Sequence, residues 1–120
     1  MSNLIYVLAL LSAVLLAIGQ LLFKIGSSKI EEESASGFIM AAITSPILIF
    51  SVALYGFTIL IWIYALNKMP LSIAYPITGL AYVIVPALSY YFLGEKISPS
   101  IMIGSFLILV GISLIARSSV

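Results

Sequence analysis

Residues 66–98 carry most of the polar groups of an otherwise apolar chain. The segment reads LNKMPLSIAYPITGLAYVIVPALSYYFLGEKIS, and its charged residues lie only near the two ends. Polar and helix-perturbing residues recur in it at spacings of three and four, on one face of a helix: Tyr75, Thr78, Gly79, Tyr82, Pro86 and Ser89. Hydroxyl groups hydrogen-bond ligands and neighbouring helices equally well. This face is therefore predicted to be either the wall of a ligand cavity or a set of interhelical hydrogen bonds.

Two prolines inside the same segment favour the cavity. Proline lacks an N–H and clashes with the carbonyl four residues earlier, so Pro76 and Pro86 deprive Ser72 and Tyr82 of their usual partners, and the helix is expected to bend. At membrane depth such backbone is tolerated where protein or a water-filled cavity surrounds it.

A second polar stripe follows the N-terminal apolar segment. Ser12, Leu16, Gln20 and Lys24 are four residues apart and share one helix face. Lys24 either snorkels to the membrane surface as an ordinary anchor or offers its ammonium to a lipid phosphate or another anion. The sequence leaves both interpretations open.

Composition places these stripes in a lipid bilayer. The 120 residues are 63% apolar and 8% charged, with a mean hydropathy of +1.31, too few charges to coat a soluble surface. A net charge of +1 gives no basic face for nucleic acid. The chain has no cysteine or histidine and no pair of titratable groups within its apolar segments, so neither an enzyme nor a cofactor is expected.

Four segments are long enough to cross a bilayer as helices, about 20 residues each: residues 4–23, 46–66, 72–93 and 101–116. The predicted fold is an all-α, integral membrane, four-helix bundle forming a single domain over residues 1–120. Since the N-terminal run lacks a basic region, we interpret it as a retained first span. The connections NKMPL and GEKISP are short, which makes consecutive spans antiparallel neighbours.

Two further features concern the ends and faces of the spans. Ser45 and Pro46 resemble an N-cap followed by proline at the first helical position, preceded by a short interfacial helix over 37–44. In the last span, Gly104 and Gly111 are seven residues apart and permit close helix approach, either within the chain or, as we expect, across a dimer.

Membrane orientation is not predicted by charge. Lys68 and Arg117 fall on the side of the termini, against Lys24, Lys29 and Lys96 on the other. This near balance reflects either a small number of charges or insertion in both directions.

The motifs GQLLFK, MPLSIAYP and LGEKIS, with the four-span length, resemble the drug/metabolite transporter superfamily in its single-unit form over nearly the whole chain. The small multidrug resistance branch shares Ala74, Tyr75 and the glycine pair. Its proton-coupling glutamate, however, falls on Leu16, and its tryptophan on Thr78. Because no acidic residue lies within the four spans, drug/proton antiport is disfavoured.

The chain is more similar to EamA-like four-helix proteins, in particular the paired subunits that flip undecaprenyl-phosphate-linked aminoarabinose. This resemblance implies a multi-pass inner-membrane transporter that acts on a lipid-linked sugar, as a homodimer or with a four-helix homologue. Residue by residue it points to Gln20, Lys24, Tyr75, Pro76 and Glu95. With the polar stripe, the predicted substrate-binding set is Gln20, Lys24, Tyr75, Pro76, Thr78, Tyr82, Ser89 and Glu95.

The sequence leaves open the role of one charged pair and two other functions for the chain. Lys24 and Glu95, which end the first and third spans on one side, are expected to lie near one another as a structural latch or as an anchor that an anionic head group competes for. The chain could instead export cationic or metabolic compounds. It could also be a non-transporting membrane assembly factor, which would be a sealed bundle without a polar-lined opening.

Overall fold

The structure is a computed structural model that describes residues 3–117, and the regular elements in this part of the chain are all helical, with no strand. The elements are α1 (Asn3–Ser28), α2 (Ala35–Thr44), α3 (Pro46–Lys68), α4 (Leu71–Ile77), a 3₁₀ turn (Thr78–Leu80), α5 (Ala81–Leu88), a π turn (Ser89–Leu93) and α6 (Pro99–Ala116).

Four helical segments are long and apolar enough to cross a membrane, as predicted. We call them the first span (Asn3–Ser28), the second span (Pro46–Lys68), the third span (Leu71–Leu93) and the fourth span (Pro99–Ala116).

The first span is longer than its apolar run. We expected it to end at Phe23, but the helix continues to Ser28. A Cβ on Gly26 would lie 2.6 Å from the Leu48 side chain, so the end of the first span packs tightly on the start of the second. The end of the apolar run indicates where the lipid core ends, whereas packing against a neighbouring helix extends the helix beyond that point. Lys24 is consequently a helical residue.

Side-chain caps define the connections. Ser45 accepts a hydrogen bond from the Leu48 N–H, and Pro46 occupies the first turn, as predicted. Ser34 caps α2 in the same way, which starts this short helix at Ala35 rather than at residue 37. Ser98 caps the fourth span.

The prolines interrupt the hydrogen-bond ladder of the third span. The 3₁₀ turn begins two residues after Pro76, and the π turn begins three residues after Pro86. Each proline itself removes the bond to the carbonyl four residues earlier, and each irregular turn lies just after a proline. The span ends at Gly94, which adopts φ 70°, a left-handed conformation that glycine enters without steric cost.

The first span is the centre of the packing. It contacts the second span along one side and the third span along another, whereas the fourth span packs mainly on the third. Buried Ala9, Ala13 and Ala17 form a small-residue stripe on the first span that lets its neighbours approach closely. Ile5, Met69 and Ile73 anchor a core cluster where the chain turns from the second span into the third.

This arrangement limits the predicted neighbourhood of the antiparallel second and third spans to one end. The two contact each other chiefly beside their connecting turn. Beyond the turn they diverge, because each packs on the first span rather than on the other. The space between them becomes the cavity described below.

Candidate functional site

A cavity of about 770 Å³ lies between the second and third spans, and the first span forms its base. It is lined by Leu16, Gln20, Tyr55, Ile59, Trp62, Tyr75, Pro76, Thr78, Gly79, Ala81, Tyr82, Val85 and Pro86. These residues come from the middle stretches of three spans, so the cavity reaches well into the membrane. Its size is within the range of small-molecule sites.

At the base of the cavity, an amide and a phenol form one hydrogen-bonded unit. Gln20 Nε2 donates to the Tyr55 hydroxyl at 2.6 Å. The Tyr55 ring lies over the backbone of Gly19, where a Cβ would come within 2.8 Å of the ring, and it packs on Phe23 with ring centroids 5.3 Å apart. Gly19 therefore makes room for the ring that positions the phenol against Gln20.

One wall of the cavity is the predicted stripe of the third span. Tyr75, Pro76, Thr78 and Tyr82 all line it, together with Gly79 and Pro86. The Thr78 hydroxyl donates to the Tyr75 carbonyl. The side chains of Tyr75 and Tyr82 are 67% and 72% exposed, so they stand at the open side of the cavity rather than within packed helices.

Three residues of the predicted set lie outside the cavity wall. The Ser89 hydroxyl donates to the Pro86 carbonyl at 2.9 Å, within its own span. Lys24 is exposed, one helical turn beyond Gln20 on the same face. Glu95 is also exposed, directly after Gly94, whereas the first span packs on the third mainly along Leu71–Leu88. A binding role for the three stays a prediction.

The second span contributes residues that the sequence analysis did not single out. Tyr55, Ile59 and Trp62 recur at spacings of four and three and form the wall opposite Tyr75 and Tyr82. An available signal was the pair of aromatic residues with polar atoms on one face of an otherwise aliphatic helix. Their partners on another span could not be identified from spacing alone.

The lining of the cavity contains no aspartate, glutamate, lysine or arginine. Its polar atoms belong to the Gln20 amide, the tyrosine and threonine hydroxyls, and the Trp62 indole. Leu16 occupies the base, at the position where the resemblance to multidrug exporters would require a carboxylate. This cavity therefore offers no buried acid to exchange protons against a cation.

The glycine pair of the fourth span lies beside the third span without touching it. Gly104 and Gly111 are half-buried, and Ile112, which follows Gly111, lies against Gly79 of the third span. A Cβ on either glycine would meet no atom of the chain within 4 Å. Tight packing at these glycines inside one chain is thus absent, and the dimer contact stays a prediction.

Comparison with known families gives a match over residues 3–117 to the EamA-like transporter family. The chain belongs to this family. As an EamA-like protein with four spans, it is a multi-pass membrane transporter of the drug/metabolite superfamily, as the motifs predicted. No solved structure matches it.

Several EamA-like relatives are named as flippase subunits. The chain is 34% identical over 81 residues to a probable 4-amino-4-deoxy-L-arabinose-phosphoundecaprenol flippase subunit ArnE from Pseudomonas savastanoi, which covers 68% of the chain and 71% of the relative. It is 32% identical over 123 residues to a probable subunit ArnF of the same kind from Proteus mirabilis, covering 95% of the chain and 92% of the relative. The ArnF protein of Aeromonas salmonicida is 33% identical over 114 residues, covering 92% and 77%.

Proposed function

We propose that this protein moves a polyprenyl-phosphate-linked sugar, or a similar amphipathic anion, between the leaflets of the inner membrane. The observation that carries the proposal is the cavity between the second and third spans, with its exposed polar wall at Tyr75 and Tyr82. A flippase must shield a polar head group while the lipid tail stays in hydrocarbon. A cavity with an open side and with polar groups set in a mainly apolar wall suits that task, and the names of the relatives support the cargo.

In this proposal Lys24 binds the phosphate. It lies one turn beyond the Gln20 and Tyr55 pair, at the edge of the cavity, and an ammonium with three donors suits a phosphate there. Tyr75, Pro76, Thr78 and Tyr82 form the head-group wall. Ser89 and Glu95 contribute to substrate binding at the C-terminal end of the third span.

We also propose that two four-helix chains, either identical or homologous, assemble through the fourth span. No residue in the membrane-spanning window of this helix is buried by the rest of the chain. Gly104 and Gly111 leave space that a partner backbone can enter. The naming of ArnE and ArnF relatives as subunits supports a paired assembly.

The other candidate functions have less support. A cation exporter of the multidrug type would need a buried carboxylate, and none lines the cavity. A non-transporting assembly factor would have a sealed bundle, whereas here the second and third spans diverge around an open cavity whose mainly apolar wall carries phenol, hydroxyl and amide groups.

Replacing Lys24 tests the proposal. Losing a charge-assisted contact to phosphate costs about 1.5–3 kcal/mol, or roughly a 10- to 150-fold loss of affinity. We expect Lys24→Gln to weaken binding of a polyprenyl-phosphate-linked pentose by that factor, measured by equilibrium binding to purified protein in nanodiscs. Lys29→Gln, an exposed lysine near the end of the same helix, is the matched control and should bind as the unmodified protein does. Undiminished binding by folded Lys24→Gln would remove the lysine from the site.

A further inference from the structure

The cavity wall combines aromatic rings with a lack of charge. Tyr55, Trp62, Tyr75 and Tyr82 supply four rings, each with a polar atom at its edge, and Gln20 supplies an amide. No basic side chain lines the cavity. These are the groups available to whatever enters it.

Such a wall suits a carbohydrate ring better than a phosphate. A sugar presents apolar C–H faces, which pack against aromatic rings, and hydroxyl groups at its edge, which hydrogen-bond phenols, amides and indoles. A phosphate moved into the same space would lose its hydration and meet no cation in return. The lining therefore discriminates between the two parts of a sugar-phosphate head group.

The nearest basic group on the first span lies just outside this wall. Lys24 follows Gln20 by four residues, which is a rise of about 6 Å along the helix. That separation is comparable to the width of one sugar ring. A ring seated beside Gln20 thus places an attached phosphate within reach of the Lys24 side chain.

We infer that the head group is divided between two subsites: the aromatic cavity takes the carbohydrate ring, and the phosphate stays outside the cavity at Lys24. This inference rests on the proposed function and specifies which part of the cargo each subsite recognises. The cavity then selects the sugar, while Lys24 contributes equally to the binding affinity of every polyprenyl phosphate.

Trp62 gives a direct readout of the ring subsite. It is the single tryptophan of the chain, and it lines the cavity. Fluorescence of the protein reconstituted into liposomes, which hold no other protein, therefore reports on the cavity when it is excited at wavelengths that tyrosine does not absorb. Titration with a polyprenyl-phosphate-linked pentose should shift Trp62 emission to saturation. Bare polyprenyl phosphate should bind about tenfold more weakly, without that shift.

Two substitutions separate the subsites. Tyr82→Leu removes an exposed ring from the cavity wall and should cancel most of the preference for the sugar-bearing lipid. Tyr91→Leu, at a tyrosine that is 79% exposed in the same span and outside the cavity, is the matched control and should retain that preference. Lys24→Gln should weaken both lipids by the same factor. All three positions are exposed, and helical circular dichroism checks the fold.

The outcomes separate this inference from the proposed function. Equal affinity and an equal Trp62 shift for both lipids would place the phosphate in the cavity and overturn the division, while leaving a lipid-phosphate transporter in place. The division would also be overturned if Tyr82→Leu weakened binding of both lipids by the same factor. Binding of neither lipid would overturn the proposed function and the inference together.

Discussion

Gly19, Gln20 and Tyr55 act as one unit at the residue scale. The missing side chain of Gly19 lets the Tyr55 ring lie on the first span, and the 2.6 Å hydrogen bond then fixes the Gln20 amide at the base of the cavity. Interhelical hydrogen bonds in membranes are worth about 0.6–2 kcal/mol. The bond therefore does more to orient the amide than to hold the spans together.

Gly19→Ala is predicted to disturb this unit. The added methyl would lie 2.8 Å from a ring already packed on Phe23, so the ring must shift, at a cost typical of overpacking, about 1–3 kcal/mol. The free energy of unfolding, measured by titrating micelles with denaturing detergent, should fall by that amount.

Gly56→Ala provides the control for this substitution. A Cβ at Gly56 meets no atom within 4 Å, so the same change should be neutral or stabilising by up to about 1 kcal/mol. Equal effects at the two glycines would contradict the packing role of Gly19.

Sequence reasoning found only one half of this unit. Gln20 was predicted from its place in a stripe with a period of four, which helix geometry alone establishes. Tyr55 was missed because the residue that faces Gln20 depends on the relative rotation and height of two helices. The rotation and height are set by small-residue contacts such as that of Gly19. A single sequence does not show which of its small residues make such contacts.

At the scale of elements, the third span shows which features local sequence rules predict and which they do not. Pro76 and Pro86 predicted a broken hydrogen-bond ladder, and a 3₁₀ and a π turn follow them. The loss of a ladder hydrogen bond at each proline is a local consequence of its missing N–H. The divergence of the second and third spans was not predicted, because a short connection fixes only that two helices are antiparallel and meet at one end.

Substitutions in the fourth span test the proposed dimer. Replacing both Gly104 and Gly111 by leucine should shift purified protein from dimer toward monomer, because the larger side chains would hold a partner helix away. The fold of one chain should tolerate the change, since neither position faces an atom of that chain within 4 Å. The mass distribution in detergent, measured by light scattering, reports the outcome.

Gly56→Leu is the matched control, as an exposed glycine of the second span that is equally free of neighbours. If the double substitution leaves the dimer intact, the contact does not lie at this glycine pair. A loss of dimer with Gly56→Leu as well would indicate a second contact surface.

At the scale of the whole molecule, the four spans form an open arrangement rather than a closed bundle. The second, first, third and fourth spans follow one another in contact, within overall dimensions of 49 × 35 × 21 Å. The cavity lies in the angle that the first span makes with its two neighbours. Composition and span count predicted a four-helix membrane protein, but this order depends on which faces pack and could not be read from hydrophobicity.

The open side of the cavity connects this architecture to transport. Tyr75 and Tyr82 border the opening, which in the proposed function admits a head group from the side while its tail remains among lipids. The absence of acidic residues from the cavity lining separates this mechanism from exchange of cations for protons. The proposed function therefore depends on movement of a lipid between leaflets.

The most direct test is a flipping assay in phosphatidylcholine vesicles containing a polyprenyl-phosphate-linked amino pentose. A membrane-impermeant amine-reactive reagent modifies only lipid in the outer leaflet, and the modified lipid is then quantified. With the purified protein reconstituted, we expect the inner-leaflet pool to become reactive as well, and Lys24→Gln to slow this while Lys29→Gln does not. Labelling that stays at the level of protein-free vesicles would contradict transport of this cargo.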